Sequence, residues 1–198
     1  MAPWPPEFTL SGDHVTVETL SQSHCEDLSE AAADGELHRL WYTSVPKPEG
    51  IAVEIDRRLG LREVGNMLPF AVLDKRSGRA VGMTTYMNID AASRRLEIGS
   101  TWYRKSVQRT PINTECKLLL LGHAFETLDC ISVEFRTHFV NIQSRQAIER
   151  LGAKLDGVLR SHQIMPNGTI RDTACYSIIA SEWSTVKANL EWRLQQPR

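Results

Sequence analysis

The chain has 198 residues, of which 41% are hydrophobic and 24% charged, with a formal net charge of −1. This length suits one domain with a sizeable core, and the balanced charge argues against a surface that would draw the protein onto nucleic acid or a membrane. No apolar run reaches the roughly 20 residues of a membrane-spanning helix, and the opening sequence MAPWPPEF lacks the regions of a signal peptide. We therefore expect neither nucleic acid nor a membrane as a partner.

The cysteines and histidines are scattered along the chain. The four cysteines form no C-x-x-C pair, and the six histidines lack the spacing of metal ligands. This pattern predicts neither a disulfide framework nor a metal site. Reduced cysteines are typical of a cytoplasmic protein, and we expect that location.

The first half of the chain contains four strand-like and two helix-like segments, and KRSG joins two of the strands as a hairpin turn. Ser21 or Ser23 can cap the first helix. The predicted strands are 14–20, 68–74, 79–89 and 94–103, and the predicted helices are 21–33 and 47–65.

The second half begins with a strongly apolar helix in which leucines recur at helical spacing. Asn141 can cap the next helix, Gly152 can end it in the left-handed conformation, and Ser181 can cap the last one. The turn PNG joins a long hairpin. The predicted helices are 113–128, 141–152 and 181–194, and the predicted strands are 131–137, 153–165 and 169–180.

The order of these elements predicts the fold class. Strand 94–103, helix 113–128 and strand 131–137 form a β-α-β unit whose strands should be parallel, whereas the hairpins are antiparallel. The chain is therefore α/β (α+β), with a mixed, mostly antiparallel sheet and helices on both faces. Because no linker, repeat or low-complexity tract interrupts it, we expect one domain over residues 1–198.

Several consecutive segments carry a family resemblance. They are LEIGSTW, the loop QRTPIN, the helix TECKLLLLGHAFE, the helix NIQSRQAIERLGA and the terminal RDTACYSIIASEW. Together they resemble the GCN5-related N-acetyltransferase (GNAT) superfamily, and within it the RimJ/RimL-like branch. The resemblance implies a splayed sheet, acetyl-CoA as cosubstrate without a metal, and transfer of an acyl group to a primary amine.

The same resemblance places the pyrophosphate of coenzyme A at the loop before helix 113–128. The unpaired N–H groups and positive end of a helix dipole suit such an anion. The alternative is an ordinary helix start capped by Asn113 or Thr114. The residues implied in binding are Gln108, Arg109, Thr110, Ile112, Asn113 and Thr114.

The loop departs from the family pattern Gln/Arg-x-x-Gly-x-Gly/Ala. Pro111 replaces the first glycine and removes one N–H group, and Asn113 replaces the second small residue. We therefore expect an incomplete set of backbone donors, supplemented by the charge of Arg109 or Lys105.

Other residues are implied along the pantetheine arm. Asn141 and Ser144 match an N-x-x-S pattern at a helix start, and Arg145 follows on the same helix. Ser100 and Trp102 lie on the strand that borders the gap. The alternative is that Asn141 is only a cap, Arg145 a solvated charge and Trp102 a core residue.

The implied reaction is direct attack of the amine on the thioester. Glu97, on the strand that enters the site, is the candidate base, unless it is simply an exposed strand carboxylate. Many members of the family use a tyrosine as the general acid, and its position corresponds to Ile148 here. Ser144 and Tyr176 are therefore the candidates for the acid, and protonation of the thiolate by solvent is a third possibility.

The acceptor and the assembly are less constrained. Trp41 and Tyr42 precede the loop TSVPKP and are candidates for the acceptor pocket. The acceptor is a protein N-terminus or a small amine, and we expect a homodimer. The altered loop and the missing tyrosine also motivate an alternative, a non-catalytic acyl-CoA-binding module on the same fold.

Overall fold

The structure, a computed structural model, describes residues 4–196, so the two ends of the predicted domain, 1–3 and 197–198, lie outside the described residues. The strands are β1 (Leu10–Ser11), β2 (Val15–Thr19), β3 (Met67–Asp74), β4 (Arg79–Asp90), β5 (Arg95–Tyr103), β6 (Ser132–His138), β7 (Lys154–Ile164) and β8 (Ile170–Ile179). The α-helices are α1 (Cys25–Ala33), α2 (Ile51–Glu63), α3 (Pro111–Gly122), α4 (Ile142–Glu149) and α5 (Trp183–Gln195).

The strands join one sheet in the order β1-β2-β3-β4-β5-β6-β8-β7. Neighbours in this sheet are antiparallel except β5 and β6, which are parallel and connected through α3. The predicted mixed, mostly antiparallel sheet and its parallel β-α-β unit are therefore confirmed.

Helices cover both faces of the sheet, as predicted. On one face, Leu120 of α3, Ile148 of α4 and Leu190 of α5 belong to the larger buried apolar cluster. On the other face, Leu28 of α1 and Ile55 of α2 belong to the smaller one. Side chains alternate along a strand, so successive residues of β5, β6 and β8 point to opposite faces of the sheet. The face determines which helices and side chains each site residue can contact.

Helix α3 begins two residues earlier than predicted. Thr110 caps it and Pro111 is its first residue, a position where the missing N–H costs nothing. After Gly122 the helix continues as a π-helical turn over His123–Thr127. Its buried side differs slightly from the predicted stripe, because Leu120 is fully buried and Leu118 only partly so.

Other boundaries confirm or correct the predictions. Asn141 caps α4, and Gly152 adopts the left-handed conformation with a φ of 103°. Ser181 is not the cap of α5, because it lies inside a short 3-10 turn, where the Glu182 carboxylate accepts a hydrogen bond from the Ile179 N–H at 3.4 Å. The two-residue strand β1 was not predicted, because it is too short to show a period.

The described residues carry three further facts. No helix within 4–196 combines the length and apolarity needed to cross a membrane. No group of three or more His, Cys, Asp or Glu side chains in that range could hold a metal ion. All four cysteines are free thiols.

Candidate active site

A cleft opens between β5 and β6. The two strands pair over only three residue pairs, and the last of these joins Glu97 to Glu134. Beyond that pair, β5 continues to Tyr103 and β6 to His138 without pairing to each other. The backbone groups that line this gap are therefore available to an extended ligand.

A β-bulge bends β5 at the cleft. Gly99 and Trp102 of β5 face Thr85 and Met83 of β4, so two residues of β5 oppose one of β4. Ser100 lies in this bulge with a φ of 49°. A bulge of this kind increases strand twist, which explains why β5 turns away from β6 here.

The two β5 residues that were predicted to contact the cofactor differ in position. Ser100 is exposed beside the cleft, and its hydroxyl lies 3.7 Å from the sulfur of Met87. Trp102 is only 5% exposed and belongs to the core under α1 and α2. Its indole is thus a core side chain, as the alternative had it, and only its backbone borders the cleft.

Glu97 lies at the point where the strands separate. It is 4% exposed, and its Oε2 accepts a hydrogen bond from Nδ2 of Asn88 at 2.6 Å. The Nε of Arg136 lies 3.6 Å from the same oxygen. Burial raises the pKa of Glu97, although Asn88 and Arg136 act in the opposite direction. The carboxylate is therefore buried and not exposed on its strand.

Gly99 keeps the other side of this carboxylate open. A Cβ at this position would lie 2.8 Å from the Glu97 Oε1 and 2.8 Å from the Met87 sulfur, closer than real Cβ contacts. Any larger residue here would displace the glutamate. The glycine at position 99 therefore leaves room for Oε1 of Glu97.

The start of α3 has the features of an anion site, in altered form. The hydroxyl of Thr110 donates to the Val107 carbonyl at 2.6 Å and accepts from the Ile112 N–H at 3.4 Å. The cap is therefore Thr110, and not Asn113 or Thr114 as the alternative of an ordinary helix start had it. In a regular α-helix the N–H of Thr114 already has an acceptor one turn back, so the donors of the first turn are those of Ile112 and Asn113.

The loop before α3 is fixed by its own contacts. Gln108 donates from Nε2 to the Tyr103 carbonyl at 3.1 Å, which ties the loop to the end of β5. Arg109 is exposed and left-handed, with a φ of 63°. The stem of Lys105 packs closely against Gly35. Because the Ile112 N–H is engaged by the Thr110 cap, the first turn offers a diphosphate the N–H of Asn113, the helix dipole and the exposed guanidinium of Arg109, which is less than a glycine-rich loop would offer.

Helix α4 begins beside the open end of β6. The Oδ1 of Asn141 accepts a hydrogen bond from the Ser144 N–H at 3.0 Å, so Asn141 is a cap. Arg145 points inward, where its Nε donates to the hydroxyl of Tyr176 at 2.9 Å and its guanidinium lies 4.5 Å from the Phe139 ring centre. Its guanidinium is therefore held by these contacts instead of being a freely solvated charge.

Tyr176 also differs from its predicted role. It is fully buried, and its hydroxyl donates to Oε1 of Glu149 at 2.9 Å while accepting from Arg145. Burial raises its pKa further. This hydroxyl links α4 to β8 and already donates its proton to Glu149, which argues against its predicted role as the acid and favours Ser144 or solvent.

The segment between α1 and α2 covers the open end of β6. The ring of Trp41 meets that of His138 edge to face, with centroids 5.4 Å apart, and Tyr42 lies 5.7 Å from Trp41. Trp41 is 50% exposed. Its position on the face that carries Glu97 agrees with a place at the rim of an acceptor site.

Three residues of this site were missed in the sequence: Asn88, Arg136 and His138. The alternation in SVEFRTH puts Glu134, Arg136 and His138 on one face, so that signal was present. The sequence did not predict the register between β5 and β6, which places Glu97 opposite Glu134.

Comparisons with known proteins agree with this geometry. The chain is 32% identical over 110 residues to "Putative ribosomal N-acetyltransferase YdaF" of Bacillus subtilis (strain 168), which is 56% of this chain. The matched part spans 59% of that relative's length. A GCN5-related N-acetyltransferase from Brucella melitensis superposes with a TM-score of 0.84 and 31% identity, covering 97% of this chain and 87% of that one.

A more distant structure shares the fold. The microcin C7 self-immunity acetyltransferase MccE, in complex with acetyl-CoA and AMP, has a TM-score of 0.74 and 19% identity, over 85% of this chain and 93% of that one. The sheet and helices of this chain therefore have the fold of known acetyltransferase structures. The family model described as acetyltransferase (GNAT) domain matches residues 14–154, and the chain belongs to that family. This confirms the resemblance drawn from the sequence.

Proposed function

We propose that this protein transfers an acetyl group from acetyl-CoA to a primary amine by direct attack, with Glu97 as the base. The observation that carries the proposal is the position of Glu97, a buried carboxylate at the point where two parallel strands separate. Acetyl-CoA supplies the activated acyl group. We propose that the whole chain acts as one domain.

Glu97 suits this task in both position and pKa. A primary amine is mostly protonated at neutral pH and must lose a proton before it can attack. Burial raises the pKa of Glu97 towards the working pH, which makes it a better proton acceptor. As the nitrogen bonds to the acyl carbon, the carbon–sulfur bond breaks, and the sulfur takes a proton from Ser144 or from solvent.

The remaining residues bind and orient. The first-turn amide of Asn113 and the positive end of the helix dipole, with Arg109, hold the diphosphate. Asn141 and the exposed backbone of the β5 bulge hold the pantetheine arm. Fixing amine and thioester side by side supplies much of the rate, since well-held partners reach effective molarities of about 10⁵ M or more.

The acceptor is the amine of a protein N-terminus or of a small molecule. The similarity to a Bacillus subtilis protein named as a ribosomal N-acetyltransferase supports the first of these. Trp41 and Tyr42 would border the acceptor, since they lie beside His138 at the open end of the cleft.

Release of free thiol tests the proposal. The protein is incubated with acetyl-CoA and a panel of amines and N-terminal peptides, and thiol is measured against a blank. We expect release with at least one acceptor and its loss in Glu97→Gln. Calorimetric binding of CoA without any turnover would instead favour a non-catalytic binding module.

We also propose a cytoplasmic homodimer. Strand β7 is an edge strand of 11 residues whose apolar side chains Leu155, Leu159 and Ile164 are exposed, an arrangement that favours pairing with another strand. The four free thiols suit a reducing compartment. Light scattering in solution tests the assembly, and a strict monomer would contradict it.

A further inference from the structure

His138 presents a buried donor without an acceptor. It is 5% exposed, and its Nδ1 lies 3.3 Å from the Val140 N–H, which donates to it. A neutral imidazole that accepts at Nδ1 carries its proton on Nε2. Nε2 is buried and has no hydrogen-bond partner among residues 4–196. A buried donor without an acceptor is destabilising, so a ligand atom is the natural acceptor.

Arg171 presents a cation without a carboxylate. It lies on β8, on the same face as Thr173, whose hydroxyl accepts from its Nε at 2.9 Å. No carboxylate of the described chain lies within ion-pair distance of its guanidinium. Because Thr173 pairs with His138 across β6 and β8, the guanidinium lies on the same face of the sheet as His138, and its charge acts to lower the pKa of both His138 and Glu97.

The carboxylates nearby are already engaged. Glu134 pairs with Arg95 and with Arg136, the latter at 2.8 Å. Asp172 pairs with Arg160 at 2.8 Å. Arg171 is therefore the cation of this group that the protein leaves unmatched.

These groups share one face with the proposed base. On β6, Arg136 and His138 point to the same face of the sheet as Glu97 of the adjacent β5. Thr173 of β8 pairs with His138, so it lies on this face as well. Trp41 covers this face at the open end of the cleft. An amine bound at Glu97 would therefore have its other substituents on the face of the sheet that carries Nε2 of His138 and the guanidinium of Arg171.

We propose that the acceptor is a primary amine that also carries a carboxylate, as a free amino acid does. The carboxylate accepts from Nε2 of His138 and pairs with Arg171, while the amine lies at Glu97. One guanidinium and one neutral donor match a single negative charge, which favours a carboxylate over a phosphate dianion. A peptide N-terminus has only a neutral carbonyl here and would leave Arg171 unpaired. The inference rests on the proposed acyl transfer and specifies its acceptor.

Matched acceptors test the proposal. Each of the common amino acids is compared with its own α-amide, which keeps the amine and side chain and removes the charge. We expect thiol release with at least one free acid, at a kcat/KM at least about 10-fold above that of its amide. Equal rates for acid and amide, or turnover of peptides alone, would overturn this inference and leave acyl transfer intact. No turnover with any amine would overturn both.

Variants locate the effect. Arg171→Met should lower kcat/KM for the acid about 10- to 100-fold, leave the amide rate unchanged, and so abolish the preference. Arg171→Lys should restore part of it. Arg76→Met, at a 90% exposed side chain in the β3–β4 turn, is the control and should change neither rate.

A second variant keeps the test independent of Arg171. His138→Asn retains an N–H donor, and His138→Leu removes it. We expect the acid-to-amide ratio to survive better in the first than in the second, with urea midpoints reported for both. A ratio unchanged in Arg171→Met and in both His138 variants would overturn the assignment.

Discussion

Two glutamates of this chain are almost fully buried, yet their surroundings differ. Glu115, 5% exposed on α3, accepts hydrogen bonds from the backbone N–H groups of Asp13, His14 and Val15 at 2.8, 2.7 and 2.8 Å. These bonds tie the helix to the turn between β1 and β2. Gly12 completes the fit, because a Cβ there would lie 2.4 Å from the Glu115 carboxyl carbon.

Glu97, which is 4% exposed, has far fewer hydrogen-bond donors around its carboxylate. One side-chain amide donates to its Oε2 at 2.6 Å, and a guanidinium lies at 3.6 Å from the same atom. An ionised carboxylate has about four acceptor positions. Glu115 has three of them filled by fixed backbone, whereas Glu97 keeps an oxygen open towards the cleft. A buried carboxylate with its donors in place holds the fold together, and one with open positions is available to a ligand's proton.

The largest expected effect is on turnover, from Glu97→Gln. This change removes the base and keeps the shape, so kcat should fall by about 10³-fold. In the wild type, activity should fall as the pH drops through the raised pKa of Glu97, because the base becomes protonated. That acid limb should be absent in the variant, and kcat and the pH profile are measured by thiol release.

The comparison predicts little loss of stability in the same variant. Its urea midpoint should stay close to that of the wild type, since few fixed partners are lost. If turnover and profile are both unchanged, Glu97 is not the base.

Lys117 extends the comparison to a buried cation. It is 4% exposed, and its Nζ donates to the hydroxyls of Thr84 and Thr101 at 3.0 and 2.9 Å, beside the β5 bulge. Burial lowers the pKa of Lys117 from 10.5 to about 8. Below pH 8 both folded and unfolded chains carry the proton, and the folded state bears the full cost of burying the charge.

Between pH 8 and 10.5 the folded state releases this proton while the unfolded chain retains it, so this group makes stability rise with pH. At about 1.4 kcal/mol per pH unit, the gain is about 3 kcal/mol. Urea unfolding of wild type and Lys117→Met should therefore differ by an amount that changes over this range. A difference that stays constant with pH would contradict the prediction, whatever its absolute size.

Glu115→Gln tests the other side of the comparison. The neutral amide accepts more weakly and has one oxygen, so a backbone donor loses its partner. We expect a loss of about 2 kcal/mol in the free energy of unfolding, with kcat unchanged for the folded protein. Glu63→Gln, at the exposed end of α2, is the matched control and should stay within about 0.5 kcal/mol.

What the sequence predicts follows from how local its signals are. Alternation in SVEFRTH and the period of α4 depend on neighbours along the chain, and those elements were predicted to within a few residues. The structural role of Glu115 was not predicted, because its partners at 13–15 lie about 100 residues away. Local periodicity carries no trace of such a contact.

The residues of the site also fall into those that local motifs identify and those that only the pairing of distant strands brings together. Glu97 and Asn141 come from motifs that resemblance identifies, whereas His138 and Arg171 meet only because β6 and β8 are neighbours. The start of α3 lies two residues before the predicted one, because Thr110 and Pro111 serve as cap and first helical residue within a segment that resembles the phosphate loop of the family.

The smallest effect is expected at Asn141. Its side-chain oxygen is filled by the cap on α4, whereas its side-chain nitrogen is open to a ligand, so one residue has both a structural group and an available one. Asn141→Ala should cost about 1 kcal/mol of stability and weaken acetyl-CoA binding about 10-fold, measured by calorimetry. Asn141→Asp separates the two roles, because it keeps an oxygen for the cap and replaces the nitrogen that would donate to the pantetheine arm. We expect this variant to retain the wild-type urea midpoint and still bind acetyl-CoA weakly. If its affinity is instead that of the wild type, Asn141 is a cap alone, and the filled oxygen is all that this residue contributes.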